Sequence, residues 1–395
     1  MRDVAIIGSA QTKFGKLGKS NTELFCDASL AAMEDANVSQ KDIEALFVGN
    51  VLGGFEEGQI NIGGHLVGAL HLGNIPATRF EGACCSGTVA FRDAFMWVAS
   101  GFYDIVLVGG MERAMIMGTP FSTRTFAMAN DCKYEGTTGI TFPGVFAMVA
   151  RRYSKIYDIP LDKLREKMAH VSMKNHKHGA LNPHAQFYQK MGNLKVEDVL
   201  NSTVVCDPLT LMDCCPFSDG GAAVVLASAD IARRYTDEPI YVLGVGQGSL
   251  GHMGAQADIT KPASRVFSAR SAFKQAGLGP KDVDVVEIHD CFTSAEIVAS
   301  EAMGFFDWGK GADAVESGQT DIGGRPVINS SGGLMGKGHP IGATGVAQVH
   351  AIVEQLKGKA PNGNQVNPVP EIGMTDTLGG GFNTIAHTIL GRSRR

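Results

Sequence analysis

The sequence predicts an α/β fold of two duplicated halves, each a mixed sheet covered by helices. The first observation is an ungapped internal repeat, the sign of a duplicated unit. Residues 31–50, AAMEDANVSQKDIEALFVGN, align with residues 271–290, SAFKQAGLGPKDVDVVEIHD. The alignment pairs Ala32 with Ala272, Ala36 with Ala276, Lys41 with Lys281, Asp42 with Asp282 and Ile43 with Val283. The second is that each copy reads as an amphipathic helix, a polar turn and an apolar strand. The third is that similar strands flank both copies. Val4-Ala5-Ile6-Ile7-Gly8 opens the first half as Tyr241-Val242-Leu243-Gly244-Val245 opens the second. Val106-Leu107-Val108-Gly109-Gly110-Met111 resembles Leu378-Gly379-Gly380-Gly381-Phe382. Strands alternating with helices bury both sheet faces.

The elements divide the chain into three parts. Residues 1–112 with 216–238 form the N-terminal half, 113–215 an inserted loop domain, and 239–395 the C-terminal half. The insertion carries a loop-like run from Asn130 to Pro143, a helical pattern from Val145 to Ile156, and another from Leu161 to about Lys177 behind Pro160. His176, His178 and His184 follow among Gly and Pro, without nearby carboxylates. That setting predicts a polar loop and not a metal site. An insertion off a duplicated core is where substrate contacts are expected. Phe142, Met148, Phe217 and Met335 are candidates for lining a pocket. Ser218-Asp219-Gly220-Gly221 leads into Ala222-Ala223-Val224-Val225-Leu226, a buried strand closing the first half.

Composition narrows the function classes. The net charge is −5 with no block of like charges, which argues against a nucleic-acid partner. No apolar run is long enough to span a bilayer, and the first residues read as a strand instead of a signal segment. The last residues carry no peroxisomal Ser-Lys-Leu. The eight cysteines form no CxxC pairs, so free thiols in a reducing cytoplasm and no zinc are expected. The Gly-rich run 332–345 has neither GxxxxGK[ST] nor GxGxxG spacing, against a nucleotide loop.

Reactive groups concentrate in three stretches. Glu81-Gly82-Ala83-Cys84-Cys85-Ser86-Gly87-Thr88 is a small-residue turn feeding an apolar helix. A cysteine there sits at the positive end of a helix dipole, which with a neighbouring imidazole would lower its pKa. His289-Asp290-Cys291-Phe292 follows an apolar strand, and Gly338-His339-Pro340-Ile341-Gly342-Ala343-Thr344-Gly345 introduces a helix from Val346 to Leu356. Pseudo-symmetry would bring these loop tips together as a thiol nucleophile with an imidazole and a second acid/base.

With these motifs, and with Val108-Gly109-Gly110-Met111-Glu112, Ser218-Asp219-Gly220-Gly221-Ala222-Ala223 and Gly379-Gly380-Gly381, the chain resembles the thiolases over nearly its whole length. Within them it is similar to sterol-carrier-protein-type thiolases and to acetyl-CoA acetyltransferases of archaea and bacteria. The resemblance implies an αβαβα layered fold with an inserted loop domain. It implies Cys84 as nucleophile, from the C-x-S-G frame, although Cys85 stands where a small residue is usual. It implies His339 as the base, His289 at an oxyanion hole, and Cys291 as the second acid/base. Thr377 occupies the position of the second cysteine of many thiolases. Backbone N–H groups of Cys84 and Gly379 would form a second oxyanion hole. Further implications are reversible Claisen condensation of two acetyl-CoA, coenzyme A thioesters as substrates with no other cofactor, and a homodimer or homotetramer. A complex with hydroxymethylglutaryl-CoA synthase through a zinc-ribbon/OB-fold protein is implied for archaeal relatives. The alternatives are a degradative 3-ketoacyl-CoA thiolase, a ketoacyl synthase or hydroxymethylglutaryl-CoA synthase, and a non-catalytic lipid-binding or scaffold protein of this fold.

Overall fold

The computed structural model describes residues 1–361 and 363–394. The first half runs β1 (Val4–Gln11), α1 (Asn21–Asp35), β2 (Leu46–Gly49), α2 (Ile62–Ala69), β3 (Ala77–Phe80), α3 (Ser86–Ser100) and β4 (Ile105–Arg113). The intervening segment contains α4 (Gly118–Ala127), α5 (Phe142–Ile156) and α6 (Leu161–Leu181), and β5 (Asp219–Ser228) then returns to the sheet. The second half runs β6 (Ile240–Ser249), α7 (Ala263–Ala276), β7 (Val285–Glu287), α8 (Thr293–Ala302), β8 (Val327–Ile328), α9 (Ile341–Lys357), β9 (Ile372–Gly379) and β10 (Thr384–Gly391). Shorter helices and a small hairpin are left unlabelled.

The duplication is visible in the strand order. The ten strands lie β8-β7-β9-β10-β6-β1-β5-β4-β2-β3, so each half reads first, fifth, fourth, second, third from the centre outward. Pairing repeats as well: the second strand of each half is parallel to the third and fourth, and the fifth is antiparallel to the fourth and first. The halves join where β1 pairs antiparallel with β6, at Ala5 with Tyr241 and Ile6 with Ile240. The repeated Lys-Asp turn is the same device twice. The Asp42 carboxylate accepts the Ser39 N–H at 2.7 Å, and Asp282 accepts the Gly279 N–H at 2.8 Å.

Strand alternation assigns two faces to each half-sheet. In the first half Val4, Ile6, Val106, Val108, Val224 and Leu226 turn toward α3 and α9, while Ala5, Ile7, Leu107, Val225 and Ala227 turn toward α1. In the second half Val286, Ile288, Met374 and Ile389 pack on α7. The result is helix, sheet, helix, sheet, helix, with α3 and α9 as the shared central layer. These helices touch at their N-termini, where glycines allow close approach: a Cβ on Gly87 would lie 2.6 Å from the Gly342 carbonyl oxygen. That contact joins the turn bearing Cys84 to the turn bearing His339.

Three expectations need correction. His176 and His178 belong to α6, which continues to Leu181, and both rings are buried. His176 bonds the Ser172 carbonyl at 2.9 Å, and His178 lies 2.7 Å from Asp321 and 2.9 Å from the Asn329 carbonyl. A carbonyl one turn back satisfies His176, and Asp321 and Asn329 of the second half satisfy His178, so the helix continues through this polar run. Met148 is exposed, and Met335 is packed in the core, so neither lines the cavity described below. The final central helix starts at Ile341, five residues before the predicted Val346, because Pro340 serves as its N-cap residue.

Burial alone would raise the Asp321 carboxyl, but hydrogen bonds from His178 and Lys177 outweigh it and hold Asp321 below the ordinary carboxylate range. A depressed folded pKa contributes stability above the unfolded value near 3.8, and that contribution is lost as pH falls through the folded value. Asp321→Asn is therefore expected to destabilise the protein by about 1 kcal/mol at pH 7, with the difference shrinking in acid. Urea unfolding of both proteins at neutral and acidic pH measures this.

Candidate active site

Cys84 lies in a short 3-10 turn, Ala83–Cys85, that runs directly into α3. Ala83 adopts φ +50° at this turn, a left-handed conformation unusual for a residue with a Cβ. Cys84 is partly exposed, whereas Cys85 is fully buried. The Cys85 Sγ lies 3.1 Å from the Thr377 Oγ1, and Thr377 in turn donates to Thr88 Oγ1 at 2.8 Å. The adjacent thiols thus face different surroundings. Cys84 borders a cavity, and Cys85 packs beneath the helix against the threonine that stands in the second-cysteine position.

His289 and His339 arrive from the second half. The Cys84 Sγ and one ring nitrogen of each histidine all lie within 4.8 Å of one another. The two rings meet edge to face with centroids 5.0 Å apart. His339 Nδ1 lies 2.7 Å from Thr344 Oγ1, and that hydroxyl donates its own proton to the Pro340 carbonyl at 2.9 Å. The hydroxyl therefore accepts from Nδ1–H, which leaves Nε2 as the lone-pair nitrogen. Thr344→Val should remove this restraint and lower kcat by about tenfold with KM little changed, while Thr344→Ser retains activity. Steady-state kinetics of both variants is the check.

Electrostatics here differs from the sequence expectation. Burial pushes the Cys84 thiol up to about 12, instead of the helix dipole and an imidazole lowering it. Burial also brings His339 down to about 3, and burial together with His339 lowers His289 well below its ordinary value. Both shifts favour the uncharged imidazole at neutral pH, so neither ring places a positive charge beside the sulfur to favour the thiolate. The resting site is a neutral thiol facing neutral rings. Cys291 is likewise raised, first by burial and then by Cys84.

A cavity of about 420 Å³ brings Cys84, His289, Cys291 and His339 together. Its walls are mostly apolar, with Phe126, Phe142, Phe146, Phe217 and Phe292 among them. Cys84, Phe126 and Phe142 also border a second cavity of about 280 Å³, lined further by Val51, Leu52 and Phe55. Gly379 ends β9 against the Cys84 turn, where a Cβ would lie 3.2 Å from that of Cys85.

Other residues hold these loops in place. Asp376 receives a bidentate pair from buried Arg265, at 2.9 and 3.1 Å, and accepts the His289 backbone N–H at 3.1 Å. Asp290 accepts N–H bonds from Leu334 at 2.6 Å and Met335 at 3.2 Å, tying the His289–Cys291 loop to the turn before His339. Glu112 accepts from Asn50, Val51, Leu52 and Gly342, linking the first half to the start of α9.

The element that sequence reasoning missed is the strap Cys214–Ser218. Cys214 pairs antiparallel with Phe292, Phe217 pairs parallel with His339, and Ser218 Oγ accepts the His339 N–H at 2.9 Å. Cys215 donates its backbone N–H to the Cys291 carbonyl at 3.0 Å and joins the cavity wall. The adjacent cysteines preceding Pro216 were the available signal.

Comparisons with known proteins agree with this architecture. A model for the thiolase N-terminal domain matches residues 4–230, and one for the thiolase C-terminal domain-like family matches 248–392. An acetyl-CoA acetyltransferase of Methanothermobacter thermautotrophicus is 45% identical over 395 residues, covering 99% of this chain and 100% of that protein. Sterol carrier protein 2 of Gallus gallus is 35% identical, covering 91% of this chain and 66% of the relative. A chain of the Ltp2-ChsH2(DUF35) aldolase superposes with a TM-score of 0.83 at 26% identity, covering 100% of this chain and 98% of its own. With both halves matched and a relative 45% identical from end to end, the chain belongs to the thiolase family.

Proposed function

We propose that the protein is an acetyl-CoA acetyltransferase that condenses two acetyl-CoA reversibly into acetoacetyl-CoA and coenzyme A. The observation that carries this reading is the placement of Cys84, His289 and His339 within 4.8 Å of one another, at an apolar cavity that Cys291 also borders. The full-length similarity to an acetyl-CoA acetyltransferase supports the choice of substrate.

In this reading the Cys84 thiol passes its proton to His339 Nε2 as the sulfur attacks the first thioester. Cys291 protonates the departing coenzyme A thiolate and becomes a thiolate itself. It then removes an α-proton from the second acetyl-CoA, whose enolate oxygen is held by the protonated His339 and by His289. The enolate carbon attacks the acyl group on Cys84, the carbon–sulfur bond breaks, and the released Cys84 thiolate recovers its proton from His339. Protons balance over the cycle without another group. Backbone N–H groups of Cys84 and Gly379 would hold the tetrahedral oxyanion. Because Cys84 borders two cavities, the acyl group and the incoming thioester have separate space.

Condensation of thioesters is uphill, so synthesis needs a reaction that consumes acetoacetyl-CoA. We assign that role to hydroxymethylglutaryl-CoA synthase, feeding mevalonate, in a cytoplasmic complex of thiolase oligomers bridged by a zinc-ribbon/OB-fold protein. The pairing of a similar chain with ChsH2(DUF35) in an aldolase supports a partner-bound assembly. The test is loss of the magnesium–enolate absorbance of acetoacetyl-CoA when coenzyme A is added to pure protein. Retention of that absorbance, with and without candidate partners, favours the non-catalytic scaffold.

A further inference from the structure

We propose that Cys84, His289 and His339 also form a binding site for one thiophilic divalent cation, of the zinc or cadmium class, which blocks acyl transfer reversibly. The donor set is one sulfur and two imidazole nitrogens, all within 4.8 Å of one another. Zinc–sulfur and zinc–nitrogen bonds of about 2.3 and 2.0 Å place tetrahedral ligand atoms roughly 3.3–3.7 Å apart. The cluster therefore needs about 1 Å of closure. Rotation of the Cys84 side chain, which has cavity on two sides, can supply it.

The surrounding groups favour the same outcome. Thr344 holds His339 Nδ1–H at 2.7 Å, so Nε2 is the free donor. Such outer hydrogen bonds orient histidines that ligate metals. His289 Nδ1 is buried with no hydrogen-bond partner, so no internal bond holds that ring nitrogen away from a ligand. A sulfur–nitrogen donor set without a carboxylate selects borderline and soft ions over magnesium or calcium. The fourth position opens onto the cavity, where a water completes the tetrahedron. Binding is a proton exchange without redox: the Cys84 S–H bond breaks, a sulfur–metal bond forms, and one proton is released to solvent.

The experiment titrates the purified protein with cadmium in thiol-free buffer and follows the ultraviolet sulfur-to-cadmium absorbance, which does not depend on turnover. One ion per chain is expected, with the band lost in Cys84→Ser and retained in Cys215→Ser and Cys291→Ser. Affinity should fall at least tenfold in His289→Ala and in His339→Ala. The same equivalent of cadmium should protect Cys84 from iodoacetamide, and a chelator should restore alkylation. A band that survives in Cys84→Ser, or an affinity unchanged in both histidine variants, overturns the proposal. Circular dichroism of each variant separates loss of ligand from loss of fold.

Discussion

Acetylation by acetyl-CoA is expected on Cys84 alone, and Cys84→Ala is expected to lower kcat by roughly 10⁴-fold or more. The two adjacent thiols have similar intrinsic reactivity, and burial raises both to about 12. Position distinguishes them. Cys84 borders both cavities and the imidazole pair, whereas Cys85 Sγ is enclosed against Thr377. Cys85→Ala should therefore keep most activity and cost about 1 kcal/mol of stability through the small cavity it leaves. Peptide mapping by mass spectrometry after incubation with acetyl-CoA decides the matter. An acetyl group on Cys85 would place the nucleophile on the wrong side of the turn and sink the assignment.

The second large effect concerns His339. With burial raising the thiol and lowering the imidazole, the proposed mechanism has thiolate form only as the proton moves from Cys84 to His339. His339→Asn keeps a polar side chain but cannot take that proton. Its kcat should fall by about 10²–10⁴-fold, the usual range for a positioned general base. The rate of Cys84 alkylation by iodoacetamide should fall as well. Rapid-quench measurement of the acyl-enzyme isolates the first half-reaction. An unchanged acylation rate would move the base to His289.

Much of the fold is legible because it is written twice. The Lys-Asp turn at Asp42 and Asp282 repeats without a gap, and the structure gives both copies the same backbone hydrogen bond. The loops carrying His289, Cys291 and His339 are legible because each follows or precedes a regular element at a recognisable motif. The strap at Cys214–Ser218 is not, since its pairing with Phe292 and His339 is set by contacts across more than 70 residues of chain. At His176 and His178 the local Gly and Pro suggest a break in the helix. Asp321 and Asn329, far along the chain, supply the partners that permit a buried helix there. The direction of the Cys84 shift is also hidden, because depth of burial is a property of the assembled core and not of the local turn.

The glycine contact between α3 and α9 has a consequence for synthesis of the chain. Cys84 is translated early, but His339 and the Gly342 carbonyl that meets Gly87 lie more than 250 residues later. In the proposed mechanism a nascent chain therefore carries the Cys84 thiol for most of translation without the imidazole assigned to take its proton. On that mechanism, acetylation of Cys84 is expected only once the last central helix has docked against Gly87, so the chemistry would mark completed folding.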